Sequence, residues 1–335
     1  MITLWFFIWV FLWVMFFITD GYDLGLGSLL PVVARKEDER KLVHSAIGPY
    51  WDGNEVWLIA AGGMTFAAFP GAYATMFSAL YTALMLVLVG LVVRGAAIGL
   101  RESARSESER RVIDYAFSVA NLVLCILFGT AFANIFRGVP INAAGVFQGG
   151  FFTLLNWYGL LGGLFFTAAL LHHGALWFMV KAGGPAAERT GRLIRWLFVG
   201  TAGLGAVFVF ATGAVTGIAR AVPDRPLMVI PLVAAIGGLL ASTYFAGKTE
   251  WKKAFAGSAA FIAGLIFFCM AGIYPALLPS SLDPAFSVTA TGSASSPLTL
   301  KIMLGVVVVF LPIIFGYQWW AARIFKGKAQ AEDHY

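Results

Sequence analysis

The chain has 335 residues, of which 60% are hydrophobic and only 12% charged, with a mean hydropathy of +0.83. A soluble domain carries about 25% charged residues, so this composition excludes a soluble globular protein and points to a multi-pass membrane protein. The net charge of +6 sits in short segments between apolar runs, which is the pattern of membrane topology; nucleic acid is not an expected partner.

A helical span takes about 20 apolar residues. Nine are predicted, at roughly 3–34, 44–69, 72–101, 110–136, 152–181, 192–219, 227–247, 255–278 and 298–325, giving an all-α polytopic membrane protein built as a single integral domain over 1–335. The first run lacks a charged leader and reads as a span rather than a cleavable signal. Gly and Pro punctuate the joins, as at Pro70-Gly71, Pro140, Gly183-Gly184-Pro185, Pro223, Pro226 and Pro279. With the N-terminus outside, 19 of the 23 Lys and Arg residues fall in inside loops, and only Arg137, Arg220, Arg225 and Lys301 fall outside. That asymmetry predicts a cytoplasmic C-terminus and an odd number of spans. The longest outside loop, 280–297, is rich in Ser and Thr and almost uncharged. Cys125 and Cys269 lie in apolar spans and read as buried small hydrophobes, with a disulfide as the other reading.

Four carboxylates stand inside the first two spans: Asp20 and Asp23 in ITDGYDLGLGSLLP, Asp52 and Glu55 in GPYWDGNEVWLIAAGG. An ionised Asp at mid-bilayer costs about 2.5–3.5 kcal/mol on insertion scales, so such groups face a protein interior or a water path. At 1.5 Å per residue, Asp20 is roughly 25 Å and Asp23 roughly 30 Å from the outer end of span one, while Asp52 is about 12 Å and Glu55 about 17 Å in from the inner end of span two. Each pair is spaced i, i+3 and shares a helix face. The four acids therefore step from the cytoplasmic edge toward mid-membrane, a ladder suited to proton uptake. A structural reading stands beside it: Arg94, at a depth similar to Asp23, neutralises that residue, and Asp20 bonds locally where Gly21 loosens the helix. Asp52 and Glu55 have no evident basic partner. Gly21 and Gly25, with Gly27, and then Gly53, Gly62 and Gly63 permit close helix approach and predict that spans one and two pack around this polar seam.

Of the four histidines, His334 is in the tail, His44 precedes span two, and His172-His173 lie in span five. Adjacent helix residues diverge by about 100°, so the doublet cannot grip one metal; both are expected to be hydrogen-bonded packing residues rather than haem ligands. There is no CxxCH, Cys cluster or phosphate loop.

TDGYDLGLGSLLP followed by RKEDERKLVHSAIGPYWDGNEVWLIAAGGMTFAAFPGAYA closely resembles the N-terminal third of subunit II of cytochrome bd-type quinol oxidases. FFTLLNWYGLLGG, AGIYPALLPSS and SSPLTLKIM extend the likeness along the chain. The resemblance implies two four-helix bundles plus one peripheral helix in the bacterial inner membrane. It implies a larger subunit I as partner, carrying haem b and haem d, with no haem in this chain. The complex would oxidise quinol at the outer face, reduce O2 to water and draw its protons from the cytoplasm, which is electrogenic. A small single-span subunit and a structural quinone or lipid are further features of such complexes. The resemblance assigns a proton path to Asp52, with Asp23 near its mouth, and gives Trp51, Gly53, Asn54 and Trp57 the role of motif support. Some relatives carry a further acid after the Arg at the end of span three; here Gly99 stands in its place, with Glu102 one turn later as a substitute. Two other readings compete: a proton-coupled transporter, for which matching broken helices in two halves are lacking, and a purely structural subunit whose acids are merely satisfied.

Overall fold

The computed structural model describes residues 1–330. Helix α1 (Ile2–Val33) runs without interruption because its apolar stretch holds no proline before Pro31. Its 32 residues span about 48 Å. Lys36 starts α2 (Glu37–Ile47), whose first turn is closed by the Glu39 carboxylate accepting from the Arg35 and Lys36 N–H groups at 2.7 and 3.0 Å.

The expected second span over 44–69 is not one helix. Gly48-Pro49 breaks it, since proline lacks an N–H and disfavours helix in the residue before it. The chain restarts as α3 (Trp51–Ala68) and stops at Phe69, before Pro70. The expected third span over 72–101 is likewise split, into α4 (Pro70–Ala79) and α5 (Tyr81–Ser103), with Leu80 between them. Helix α6 (Glu107–Arg137) is capped by the Ser106 hydroxyl, which accepts from Glu109 N–H, and ends at Gly138 with φ +87°, a conformation that favours glycine. A short α7 (Phe151–Leu154) precedes α8 (Trp157–Lys181), capped by Asn156. Helix α9 (Gly184–Val215) begins eight residues before its expected start at 192. After α10 (Ile218–Ala221) come α11 (Val229–Gly247) and α12 (Trp251–Ile273). The segment between α12 and the last helix is ordered by antiparallel strands β1 (Ala276–Leu278) and β2 (Val288–Thr289), with Ala276 opposite Thr289, and by α13 (Ala290–Ser293). Helix α14 (Pro297–Ile324) closes the fold.

Among the described residues, eight helical segments are long and apolar enough to cross a membrane: α1, α5, α6, α8, α9, Pro226–Gly247 (which contains α11), α12 and α14. The 18-residue α3 is not among them, because its first two turns carry Asp52, Asn54 and Glu55. Helices α1, α3, α5 and α6 pack together, as do α8, α9, α11 and α12, and α1 and α6 both lie against α8. Helix α14 stands at the periphery; Leu300 is its one buried residue.

The α1 glycines face a different neighbour from the one expected. A Cβ on Gly25 would lie 1.9 Å from the Leu170 carbonyl oxygen of α8, and one on Gly174 only 2.3 Å from Leu26 N. They bring α1 against α8, whereas Gly62 and Gly63 have open space beside them. Both cysteines are buried and unpaired.

Candidate functional site

About three turns before its end, α1 directs Asp20 and Asp23 away from α8 and into the contact with α3 and α5. Both are fully buried, as is Arg94 on α5. Arg94 donates to Asp20 through both ends of its guanidinium, Nη1 to Oδ2 at 2.8 Å and Nη2 to Oδ1, a planar fork on a planar carboxylate. The expected partner of Arg94 was Asp23; the helix offset instead puts it opposite Asp20, so Asp20 is ion-paired rather than locally bonded. Glu55 also gains a cation, with Oε1 at 3.6 Å from Arg94 Nη2.

Asp23 is held by a neutral group. Asn54 Nδ2 donates to Asp23 Oδ2 and to the Tyr22 hydroxyl, each at 2.8 Å, and lies 3.3 Å from Thr19 O. Asn54 is thus the link between α3 and α1, and Tyr22 is a member of the site that its position beside Asp23 could have signalled. Three polar atoms around this centre, Asp23 Oδ1, Glu55 Oε1 and Arg94 Nε, are buried without a hydrogen-bond partner among the described residues. Buried polar atoms of this kind normally bind ordered water.

Asp52 is not part of the seam. It sits in the first turn of α3 and is exposed, where a carboxylate is favoured by the helix N-terminus. Glu55, one turn on and with a side chain 20% exposed, lies between that surface and the buried acids. Trp57 packs its ring between Phe11 and Phe315, Gly53 O accepts from Gln318 of α14, and Trp51 lies against Gly95 of α5. The motif WDGNEVW therefore divides its work: Asn54 and Glu55 face inward, Gly53 and Trp57 tie α3 to its neighbours, and Asp52 faces out.

Sequence reasoning passed over Asp114, an acid near the start of α6. Its carboxylate accepts from Arg101 Nε at 2.7 Å and meets His44 Nε2 at 2.8 Å, while Arg101 also reaches Glu37 at 3.0 Å. Burial pushes the His44 imidazole below its ordinary value, opposed by its bond to Asp114. Beside this cluster, Arg189 donates to the Glu39 carboxylate and to Val33 O. That bond, with the Arg35 and Lys36 N–H groups, holds Glu39 down to about 2. Glu102 is exposed, and Gly99 has open space around it.

The family described as cytochrome bd terminal oxidase subunit II matches residues 1–325. The chain belongs to this family. A probable cytochrome oxidase subunit 2 of Haemophilus influenzae is 32% identical over 359 residues, covering 98% of this chain and 95% of that protein. The cytochrome bd ubiquinol oxidase subunit 2 of Bacillus subtilis is 29% identical over 336 residues, covering 98% and 97%. In the structure of bd oxidase from Geobacillus thermodenitrificans, one chain matches the fold with a TM-score of 0.78 at 16% identity, over 97% of this chain and 98% of that one. As a subunit II, the chain is a component of a terminal oxidase and a multi-pass protein of the bacterial inner membrane. Membership also implies a subunit I partner and a haem-containing complex.

The His172-His173 doublet is engaged by neighbouring helices. His173 has both ring nitrogens engaged, Nδ1 with Ser258 at 2.6 Å and Nε2 with Ile18 O at 2.9 Å. His172 turns Nε2 to Ser242 at 3.0 Å and keeps Nδ1 buried within the helices. Both are packing residues that join α8 to α11, α12 and α1.

Proposed function

We propose that this subunit II supports a haem-bearing subunit I and feeds it protons from the cytoplasm through the seam between α1, α3 and α5. The reading rests on one observation: two carboxylates, Asp20 and Glu55, share the single guanidinium of Arg94, and a third, Asp23, is buried beside them on the neutral Asn54. One cation balances one buried carboxylate. A second carboxylate buried as an ion would cost several kcal/mol, so the seam is neutral only when Asp23 and Glu55 each carry a proton. Asp52 receives protons at the exposed first turn of α3. Glu55 passes them inward, Asp23 holds the exchangeable proton on the oxygen that lacks a protein partner, and Asn54 fixes the orientation of that carboxylate. Water at the unpartnered atoms completes the route. The Arg94–Asp20 pair is the fixed counter-charge. Its bidentate closure is the observation that favours a structural role for those two residues.

In this reading the chain crosses the membrane nine times as one integral domain, α3 being the ninth crossing. It is shielded there by α1, α5 and α14, with the N-terminus outside and the C-terminus in the cytoplasm. Two four-helix groups, α1/α3/α5/α6 and α8/α9/α11/α12, carry the peripheral α14. The b and d haems, the quinol site and the electrogenic reduction of O2 to water belong to the complex through subunit I. A small single-span subunit and a structural quinone or lipid complete the expected partners.

The test is turnover of the assembled oxidase carrying Asp23→Asn, Glu55→Gln or Asp52→Asn. Each is expected to retain the full haem spectrum and to lose about tenfold in oxygen consumption, equivalent to about 1.4 kcal/mol on the barrier. Normal steady-state turnover in all three would leave the subunit as scaffold only.

A further inference from the structure

Helix α6 brings a second file of polar side chains toward the seam. Asp114, Ser118, Asn121 and Cys125 are spaced four, three and four residues apart. That spacing keeps them on one helix face, in a file about 16 Å long, and all four are buried. Its far half faces α1. A Cβ on Gly27 would lie 2.5 Å from Asn121 Nδ2, so the missing side chain is what lets the amide press against α1. The Ser28 hydroxyl meets Cys125 Sγ at 4.0 Å. The charges of Asp20 and Arg94 are both felt at Cys125, which sets this end of the file beside the buried ion pair. The near end lies in the charged cluster at the start of α6. There Asp114 holds His44 and Arg101, and Arg101 and Arg110 reach Glu37.

Polar residues in a membrane span commonly bond their own helix or a neighbouring one. Ser118 and Ser28 do so, donating to Asp114 O at 2.9 Å and to Leu24 O at 2.7 Å. Their oxygens keep lone pairs for a further donor. Asn121 likewise donates to Phe117 O at 2.8 Å, but its Oδ1 is buried with no partner among the described residues. The same holds for Arg94 Nε at the far end. Helix packing accounts for neither atom. An amide oxygen and a guanidinium N–H enclosed between helices normally hold ordered water. Water on these two atoms joins the hydroxyls into a chain of donors and acceptors.

We propose that this face of α6 is a second cytoplasmic inlet to the seam. Protons enter at His44 and Asp114, pass the Ser118 hydroxyl, the water on Asn121 Oδ1 and the Ser28 hydroxyl, and reach the water on Arg94 Nε. Each hydroxyl and each water accepts one proton and passes one on, so the file is unchanged after every transfer. The inlet runs in parallel with the entry at Asp52 and Glu55 and meets it at the buried acids. It rests on the reading of the seam as a proton store and adds only how that store is filled.

The experiment measures oxygen consumption by the whole assembled oxidase, with the haem spectrum as the record of assembly. Two parallel inlets make their blocks synergistic, which a packing role does not. Asn121→Leu, close in shape but without the amide, is expected to lose less than about twofold alone, because Asp52 still feeds the seam. In the Asp52→Asn background the same change closes the remaining route and should cost at least about a further fivefold. Asn121→Ser keeps a polar group for the water and should restore the turnover of Asp52→Asn. If Asn121→Leu does not assemble, Ser28→Ala, which removes one small hydroxyl, decides in the same way. Equal factors with and without Asp52 would overturn the inlet and leave these residues as packing. Asp23→Asn separates the two claims: slowed turnover there with equal factors overturns the inlet alone, whereas full turnover overturns the seam and the inlet with it.

Discussion

Removing the guanidinium from the polar seam should destabilise the subunit far more than its share of the surface would suggest. Arg94 and Asp20 are both fully buried and joined by two parallel hydrogen bonds, one of them 2.8 Å. Arg94→Gln leaves the Asp20 carboxylate without its cation and deprives Glu55 of the charge 3.6 Å away. Breaking a buried pair from one side costs about 3–5 kcal/mol, much of it the stranded charge. The double variant Asp20→Asn with Arg94→Gln removes both charges and leaves two amides able to bond each other. It is expected to stand within about 1–2 kcal/mol of the wild type, so adding Asp20→Asn should recover about 2–3 kcal/mol of what Arg94→Gln loses. The assay is SDS titration of the assembled oxidase in mixed micelles, followed by tryptophan fluorescence with the haem spectrum as a control. A loss below about 1 kcal/mol in Arg94→Gln, or a double variant no better than the single one, would refute the reasoning.

Glu39, held at about 2 against an ordinary 4.5, contributes stability that is fully present above pH 4.5 and is lost as pH falls through about 2; Glu39→Gln should flatten that acid limb of a pH–stability curve, and an unchanged limb would exclude the clasp with Arg189. Gly25→Ala drives a methyl group into the Leu170 carbonyl and is expected to cost about 1–3 kcal/mol or more and to lower the yield of assembled oxidase, while Gly62→Ala, beside open space, should be silent; equal yields would mean α1 and α8 can separate freely. Replacing His172 and His173 by Gln should leave every haem band of the complex in place while lowering its thermal midpoint, and loss of a band would put a haem ligand on this chain.

Much of this molecule is legible without coordinates, because lipid solvation is read off composition alone. Runs such as 3–34 and 298–325 had to become helices, since an unpaired backbone cannot rest in hydrocarbon, and their boundaries differ from the observed ones by a residue or two. The acids could be singled out for the same reason: a carboxylate in an apolar run needs a protein environment. The break at Gly48-Pro49 was also written in the residues but was masked by the apolar run continuing past it, and with it went the depth of Asp52. Two other matters could not be read from the chain. Which face of α1 meets which neighbour depends on helix rotation, and the structure turns Gly25 to α8 and the acids to α3 and α5. Which acid takes Arg94 depends on the axial offset between α1 and α5, where one helical turn separates Asp20 from Asp23. A single sequence specifies how each residue prefers to be solvated. Partner choice among buried charges is decided by distances between helices far apart in the chain, and those exist only once the bundle has packed.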